Sequence, residues 1–367
     1  MFVVGNPVTG KNFYDRTKMI RELKSLFEIN QNFMVKAPRR YGKTSLVKET
    51  LRQLDKDYLY IDLRRMPRLS MVIDGIMDFT YEQAGVKGFM RGIVNNVMTV
   101  LKNSKHSLKI SNETLEYSAE FFLQNKDELE RFIEALKTLE RIADELKQHF
   151  VVVLDEFQDI SNFNQNKVDL LEVIRGEIQH HSFVTYVFLG SVEHLMTYIF
   201  EDKKSPFFNF CRKFKLEAFD INELANQIEL ALQKVNIGFQ NCQILTDLLS
   251  RLKGHPSNTM LVMQELYNIA KLENKVLLKE DEIKRAYEKA YLESIDFIEQ
   301  CILHIRQKKH YHDVIYRLAN QEKQILSYAQ VYQIYTGLEH MGYLSNKERG
   351  QYDIIDGFLE DYLRMSI

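Results

Sequence analysis

Asn32-Phe-Met-Val-Lys-Ala-Pro-Arg-Arg-Tyr-Gly-Lys-Thr-Ser-Leu46 opens with a short apolar run, Phe33 to Val35, that reads as a strand. A loop follows, ending Gly42-Lys43-Thr44, and the pattern predicts a helix from Ser45 to about Leu54. Strand, tight loop and helix in that order are the context of a phosphate-binding loop. Loop amides and the helix N-terminus converge on one spot and favour an anion there. Ala37, Pro38, Arg39, Arg40, Tyr41, Gly42, Lys43, Thr44 and Ser45 form the expected cradle. Lys43 is placed to reach the β- and γ-phosphates of a nucleotide. The Thr44 hydroxyl suits a Mg²⁺ position, because Mg²⁺ at such sites takes few protein oxygens and fills its shell with phosphate and water. The plain alternative is a helix start after a turn, with Lys43 solvated.

One letter departs from the pattern G-x-x-x-x-G-K-[ST], which wants glycine where Ala37 stands. Alanine is strained at φ > 0, so the loop must enter in an ordinary conformation. Two further runs belong with it. His149-Phe-Val-Val-Val-Leu-Asp-Glu-Phe-Gln158 is continuously apolar and ends in two carboxylates, as suits a strand buried on both faces of a parallel sheet. Carboxylates at its C-terminal end stand where open α/β sheets bind ligands. Asp155 is the candidate for the Mg²⁺ shell. Glu156 is the candidate for orienting and deprotonating a water. Phe183-Val-Thr-Tyr-Val-Phe-Leu-Gly-Ser191 is a third strand-like run, with Ser191 at its tip facing the γ-phosphate or the water. A serine after glycine is also a common turn or cap residue.

Composition bounds the rest. A chain of 367 residues accommodates two or three domains, and a net charge of −2 does not suggest a protein coated for nucleic acid or membrane. Cys211, Cys242 and Cys301 show no CxxC spacing, which argues for a reducing compartment and against a zinc site or disulfide framework. No apolar stretch approaches the ~18–20 residues of a membrane helix. Met-Phe-Val-Val-Gly-Asn-Pro7 does not read as a signal peptide, so a cytoplasmic location is expected.

Helical spacing runs over Thr17–Asn30, Ser70–Lys102 with breaks at Gly85 and Gly88, Lys126–Lys147 and Val168–Gln179. Tyr58-Leu-Tyr-Ile-Asp-Leu63 reads as a strand followed by Arg64 and Arg65, which face a phosphate, a neighbouring subunit or water. Ser104–Glu116 reads as a loop or small hairpin. Strand-like runs stop near Phe219–Ile221, marking a boundary. Helices are expected over Glu223–Asn236, Cys242–Lys253 and Ser257–Lys271, the last capped by Ser257 after Gly254-His-Pro256. His255 is a phosphate ligand or, as a lone histidine more often is, a structural residue. A last unit begins near Ile295: helices Phe297–Gln307, Tyr311–Ala319 and Tyr328–Met341, then two strands around Lys347-Glu-Arg-Gly350. Helices followed by a two-stranded wing describe a winged helix. Tyr328–Met341 contains no Lys or Arg, which favours a protein-interaction or regulatory role over DNA binding.

The chain resembles the archaeal-type ATPases of the STAND branch of AAA+-related P-loop ATPases. The residues that carry this are Phe13-Tyr-Asp-Arg16, Ala37 to Leu46, Leu154-Asp-Glu-Phe-Gln158, Gly190-Ser191, Gly254-His-Pro256 and Tyr352-Asp-Ile-Ile-Asp356. The resemblance implies an α/β P-loop, RecA-like sheet of the ASCE type, with an extra strand between the two nucleotide motifs. An α-helical lid and a C-terminal winged helix would follow. The corresponding spans are 1–219 for the ATPase domain, 220–294 for the lid and 295–367 for the winged helix. Gly254-His-Pro256 would then set a lid helix over the nucleotide with Pro256 at the site; a bundle joint is the alternative. Where the family often carries an arginine after the sensing strand, this chain has Phe210, within Ser205-Pro-Phe-Phe-Asn-Phe210. Arg212 is the nearest substitute.

Three readings follow: an active Mg²⁺-dependent ATPase, a nucleotide switch of rare turnover, and an ATP-regulated DNA-binding protein. Glu156 favours catalysis, and the missing arginine favours a low basal rate. The expectation is ATP hydrolysis to ADP and phosphate coupled to lid movement. A protein partner or self-association is expected, DNA is the less favoured partner, and no membrane is.

Overall fold

Five parallel strands form the central sheet, in the order β2-β3-β4-β1-β5. The computed structural model describes residues 2–101, 127–163, 169–191, 193–348 and 350–365. In chain order the first half contains α1 Thr17–Glu28, β1 Phe33–Lys36, α2 Lys43–Leu54, β2 Tyr58–Asp62, α3 Leu69–Leu101 and α4 Glu128–Leu146. It continues with β3 Phe150–Asp155, α5 Leu170–Ile178, β4 Val184–Gly190, α6 Glu193–Glu201 and β5 Arg212–Lys215. β4 lies between β1 and β3, so the extra strand separates the loop strand from the acidic one, as the resemblance implies. The register pairs Lys36 with Gly190 and Asp62 with Asp155, which brings the strand ends to one edge.

Alternation assigns the two faces. Phe33, Val35, Val151, Val153 and Leu189 pack with Leu23, Phe27, Leu46 and Val47 of α1 and α2. Met34, Val152, Leu154, Tyr186 and Phe188 pack on the other face with Ile73, Leu139, Ile174 and Phe200 of α3 to α6. Burial on both faces is why β3 and β4 read as unbroken apolar runs. β5 reads differently. Of Arg-Lys-Phe-Lys only Phe214 is buried, and a short edge strand guarded by charges gives no apolar signal. α2 starts two residues before the expected Ser45, because Gly42 at φ 81 serves as its N-cap. α3 is interrupted at Gly85 (φ 57). The loop expected over 104–116 lies outside the described residues, as do Lys102, Lys126, Val168 and Arg349 at expected element ends.

The second half is α7 Ile221–Gln233, β6 Gly238–Phe239, α8 Cys242–Arg251, α9 Pro256–Leu272, β7 Leu277–Leu278 and α10 Glu280–Arg306. Then come α11 Tyr311–Ala319, α12 Tyr328–His340, the antiparallel wing β8 Leu344–Glu348 with β9 Gln351–Ile354, and α13 Gly357–Met365. α9 is capped by His255, not Ser257: the imidazole Nδ1 accepts from Asn258 N at 3.4 Å, and Pro256 takes the first turn, where it lacks no needed donor. The expected boundary at 294–295 falls inside α10, a 27-residue helix with no breaker. Lid and winged helix therefore share one helix and one buried cluster, which also takes in Phe2 and Tyr14 from the N-terminus. Among the described residues, no helix is long and apolar enough to cross a membrane.

The wing is joined to the lid at Asp356. Its Oδ1 accepts from Asn258 Nδ2 at 2.7 Å and from Phe358 N at 2.9 Å, capping α13. Gly357 sits against the end of α8, where an added Cβ would lie 2.1 Å from the Arg251 carbonyl oxygen. Gly357→Ala is expected to push α13 off the lid and cost about 1–3 kcal/mol, the usual range for overpacking. Urea unfolding should show this as a lower midpoint.

Candidate functional site

A cleft of ≈ 700 Å³ runs between the C-terminal edge of the sheet and the lid. Its size falls within the ~300–1,000 Å³ typical of small-molecule sites. Arg39, Arg40, Tyr41, Gly42, Lys43, Thr44 and Ser45 line it, with Asp155, Glu156, Ser191 and Pro256. Ala37 and Pro38 stand behind the loop, where Lys43 Nζ donates to their carbonyl oxygens at 2.8 and 2.9 Å. The left-handed turns of the loop fall at Arg40 (φ 62) and Gly42 (φ 81), not at Ala37. An alanine at position 37 is therefore compatible with the turn.

The two metal candidates touch. Thr44 Oγ1 donates to Asp155 Oδ2 at 2.5 Å, and the Tyr60 hydroxyl donates to the same oxygen at 2.8 Å. Burial, then the charge of Asp155, push the Tyr60 hydroxyl well above its ordinary pKa, so it remains a donor. Hard hydroxyl and carboxylate oxygens side by side at a phosphate loop fit Mg²⁺. Among the described residues no group of three or more His, Cys, Asp or Glu side chains is placed to hold a metal ion by itself, and a cation completed by phosphate and water needs none.

Glu156 follows β3 directly and sits in the left-handed region, at φ 54. That conformation costs a non-glycine residue about 1–2 kcal/mol. Its Oε2 accepts from Ser191 Oγ at 2.7 Å, from Arg64 Nη2 at 2.9 Å and from Gln158 Nε2. Burial works to raise its pKa, but the Ser191 and Gln158 hydrogen bonds and the charges of Arg64 and Lys43 outweigh it. The carboxyl is held below its ordinary value. It is thus an anionic acceptor, suited to orient a water.

Arg212 is not brought to the cleft. It pairs in register with Phe33 at the start of β1, whereas the loop leaves β1 after Lys36, at the opposite end of the sheet. Phe210 is a packing residue: its ring lies 5.2 Å from Phe207, and the Arg175 guanidinium sits 4.2 Å above it. Arg64 lines the cleft beside Asp155 and Glu156, as Arg39 and Arg40 of the loop and Arg16 also do, while Arg65 is 85% exposed and paired with Asp62 at 3.2 Å.

The loop is held from the C-terminal side. The Arg40 guanidinium stacks 3.9 Å over the Phe297 ring of α10, and Tyr41 meets the His255 ring edge-on at 5.0 Å. His255 is buried, its pKa is lowered by that burial, and its Nε2 is 3.9 Å from Asp356 Oδ2. It is a structural link between loop and wing. Buried Arg16, at φ 74, donates to the Tyr41 carbonyl at 3.1 Å and to that of Glu217, and lies 4.8 Å over the Phe219 ring.

Sequence reasoning missed several of these residues. Tyr60 lies on a strand and Gln158 at the end of a run already read as strand-like, and position along those runs could have nominated them. Val3 to Val8 form a wall of the cleft facing Met260 and Leu261, with Val8 N donating to Ser45 Oγ at 3.1 Å. That segment carries no motif.

No protein-family model and no curated protein matches this chain. Solved structures do. The Walker-type ATPase paby2304 of Pyrococcus abyssi is similar at a TM-score of 0.69 and 16% identity, covering 99% of each chain. The Aeropyrum pernix ORC2 protein, solved as ADPNP–ADP complexes, is similar at 0.54 and 14% identity, covering 96% of this chain and 94% of that one. At these identities the likeness is one of fold. This chain shares its fold with that Walker-type ATPase and that ORC2 protein.

Lys43→Ala removes the one lysine ammonium of the loop. A charge-assisted hydrogen bond contributes about 1.5–3 kcal/mol, so ATP affinity should fall about 10- to 150-fold. Titration with a fluorescent ATP analogue measures this, and circular dichroism should show the fold retained.

Proposed function

We propose that this protein binds ATP with Mg²⁺ and hydrolyses it to ADP and phosphate at a low basal rate. The nucleotide state then moves the lid, residues 220–294, against the ATPase domain, residues 1–219, as in a STAND-type switch. One observation carries the reading. Lys43 and Thr44, which open α2 after β1, line a single cleft with Asp155 and Glu156 at the end of β3 and Ser191 just after β4. Structural packing alone does not call for a lysine, a hydroxyl and two carboxylates at the same sheet edge.

The residues have separable tasks. Lys43 and the loop amides hold the phosphates, and the α2 N-terminus adds its partial positive charge. Thr44 and Asp155 would hold Mg²⁺, with Tyr60 fixing the carboxylate through its 2.8 Å hydrogen bond. Bound there, the ion supplies charge neutralisation for the phosphate oxygens. Glu156 and Ser191 orient the attacking water. Contacts from Phe297 and His255 to the loop support the coupling to lid position, since a loop that shifts on binding disturbs both.

The winged helix over 295–367 is proposed as a regulatory or protein-contact element. α12 has no Lys or Arg and exposes Tyr328 at 82%, a surface suited to a protein more than to phosphates.

Glu156→Gln separates binding from chemistry, because the amide retains size and hydrogen bonding but cannot take a proton. Turnover should fall about 10²–10⁴-fold, the usual share of a general base, with ATP still bound. Phosphate-release kinetics beside nucleotide titration check it. Undiminished turnover would remove Glu156 from the chemistry.

A further inference from the structure

Hydrolysis spreads negative charge over the transferring phosphoryl group, and a cation placed against it is worth a large factor in rate. Phe210 is an uncharged ring packed against the core and Arg212 stands at the far end of the sheet, so neither supplies one. Arg65 does not line the cleft and is paired with Asp62.

Arg64 is placed differently. It follows β2 on a single 3-10 turn, Leu63–Arg65, whose start is pinned by Asp62 Oδ1 accepting from Arg64 N at 3.1 Å. Its guanidinium bridges two carboxylates, with Nη2 2.9 Å from Glu156 Oε2 and Nε 3.0 Å from Asp159 Oδ2. Ser191 Oγ donates to the same Glu156 oxygen at 2.7 Å. The cation therefore stands within hydrogen-bond reach of the group assigned to the water, inside the cleft. These two bonds use two of the five N–H donors of a guanidinium. The side chain is 46% exposed and so has room to swing.

We propose that Arg64 is the catalytic cation of this site, acting in cis: it shifts from the Glu156–Asp159 pair onto the oxygens of the transferring phosphoryl group. This rests on the ATPase reading above. In the step, the water oxygen bonds to Pγ and the bond from Pγ to the β–γ bridging oxygen breaks, its electron pair leaving with ADP. The water proton passes to the Glu156 carboxylate. Arg64 exchanges no proton. Its planar fork matches two phosphate oxygens at once, which a lysine ammonium cannot do. Two carboxylates balance the charge while no phosphate is present, so Arg64 is held ready at no cost of an unpaired cation.

The test compares wild type, Arg64→Ala and Arg64→Lys in the full chain. The measurements are affinity for ADP, affinity for ADP with Mg²⁺ and aluminium fluoride, and the single-turnover rate with ATP. Aluminium fluoride with ADP imitates the planar phosphoryl group, so it reads contacts made only in the transition state. For Arg64→Ala we expect ADP affinity within about twofold of wild type. Turnover should fall about 10²–10³-fold, and most of the tightening by aluminium fluoride should be lost. Arg64→Lys should restore only part of each. Equal or faster turnover in Arg64→Ala, with the fluoride effect intact, would overturn the assignment and make Arg64 a restraint on Glu156. A wild-type protein that binds no ADP would instead overturn the nucleotide reading, and with it this proposal.

Discussion

A phosphate loop must leave backbone donors turned toward its ligand, so it has to be held in shape by groups outside itself. In this protein that support comes from three directions. Lys43 ties the start of the loop through the Ala37 and Pro38 carbonyls. Arg16 holds its middle through the Tyr41 carbonyl. Phe297 of α10 and His255, the cap of α9, contact its Arg40 and Tyr41 side chains. Phe297 and His255 belong to elements far along the chain, and their contacts tie the loop to the second half of the structure.

The energies involved are of the size that the proposed switch would need. A cation–π contact contributes about 0.5–2 kcal/mol and an edge-to-face ring pair about 0.5–1.5 kcal/mol. Together they match the ~1–3 kcal/mol typical of coupling between sites. The route continues beyond the loop. His255 faces Asp356, and Asp356 caps α13 while bonding Asn258, so loop, lid and wing meet through a few side chains. Two successive left-handed residues, Asp15 and Arg16, form the joint on the opposite side, where Asp15 Oδ2 accepts from Asp220 N at 2.8 Å.

The parts of the fold legible in the sequence are those where one physical demand dominates. β1, β3 and β4 are buried on both faces, and burial of that kind writes itself as an apolar run. Gly42, Lys43, Thr44, Asp155, Glu156 and Ser191 could be placed because strand ends and a glycine turn have local signatures. What could not be read lacks any such demand. β5 is short and charged. α10 crosses a point where a unit seemed to begin, because the change in partners along its length leaves its own periodicity intact. Arg64 and Arg212 look alike in sequence as arginines near strands. Only the register, which sends one to the cleft and the other to the opposite edge, separates them.

The central claim is that this cleft hydrolyses ATP. Its most direct test is a single-turnover experiment with γ-labelled ATP and excess wild-type protein, following label release with and without Mg²⁺. The account predicts slow release that requires Mg²⁺, with ADP found bound in equal amount. Nucleotide recovered intact after prolonged binding, or label release indifferent to the metal, would contradict it.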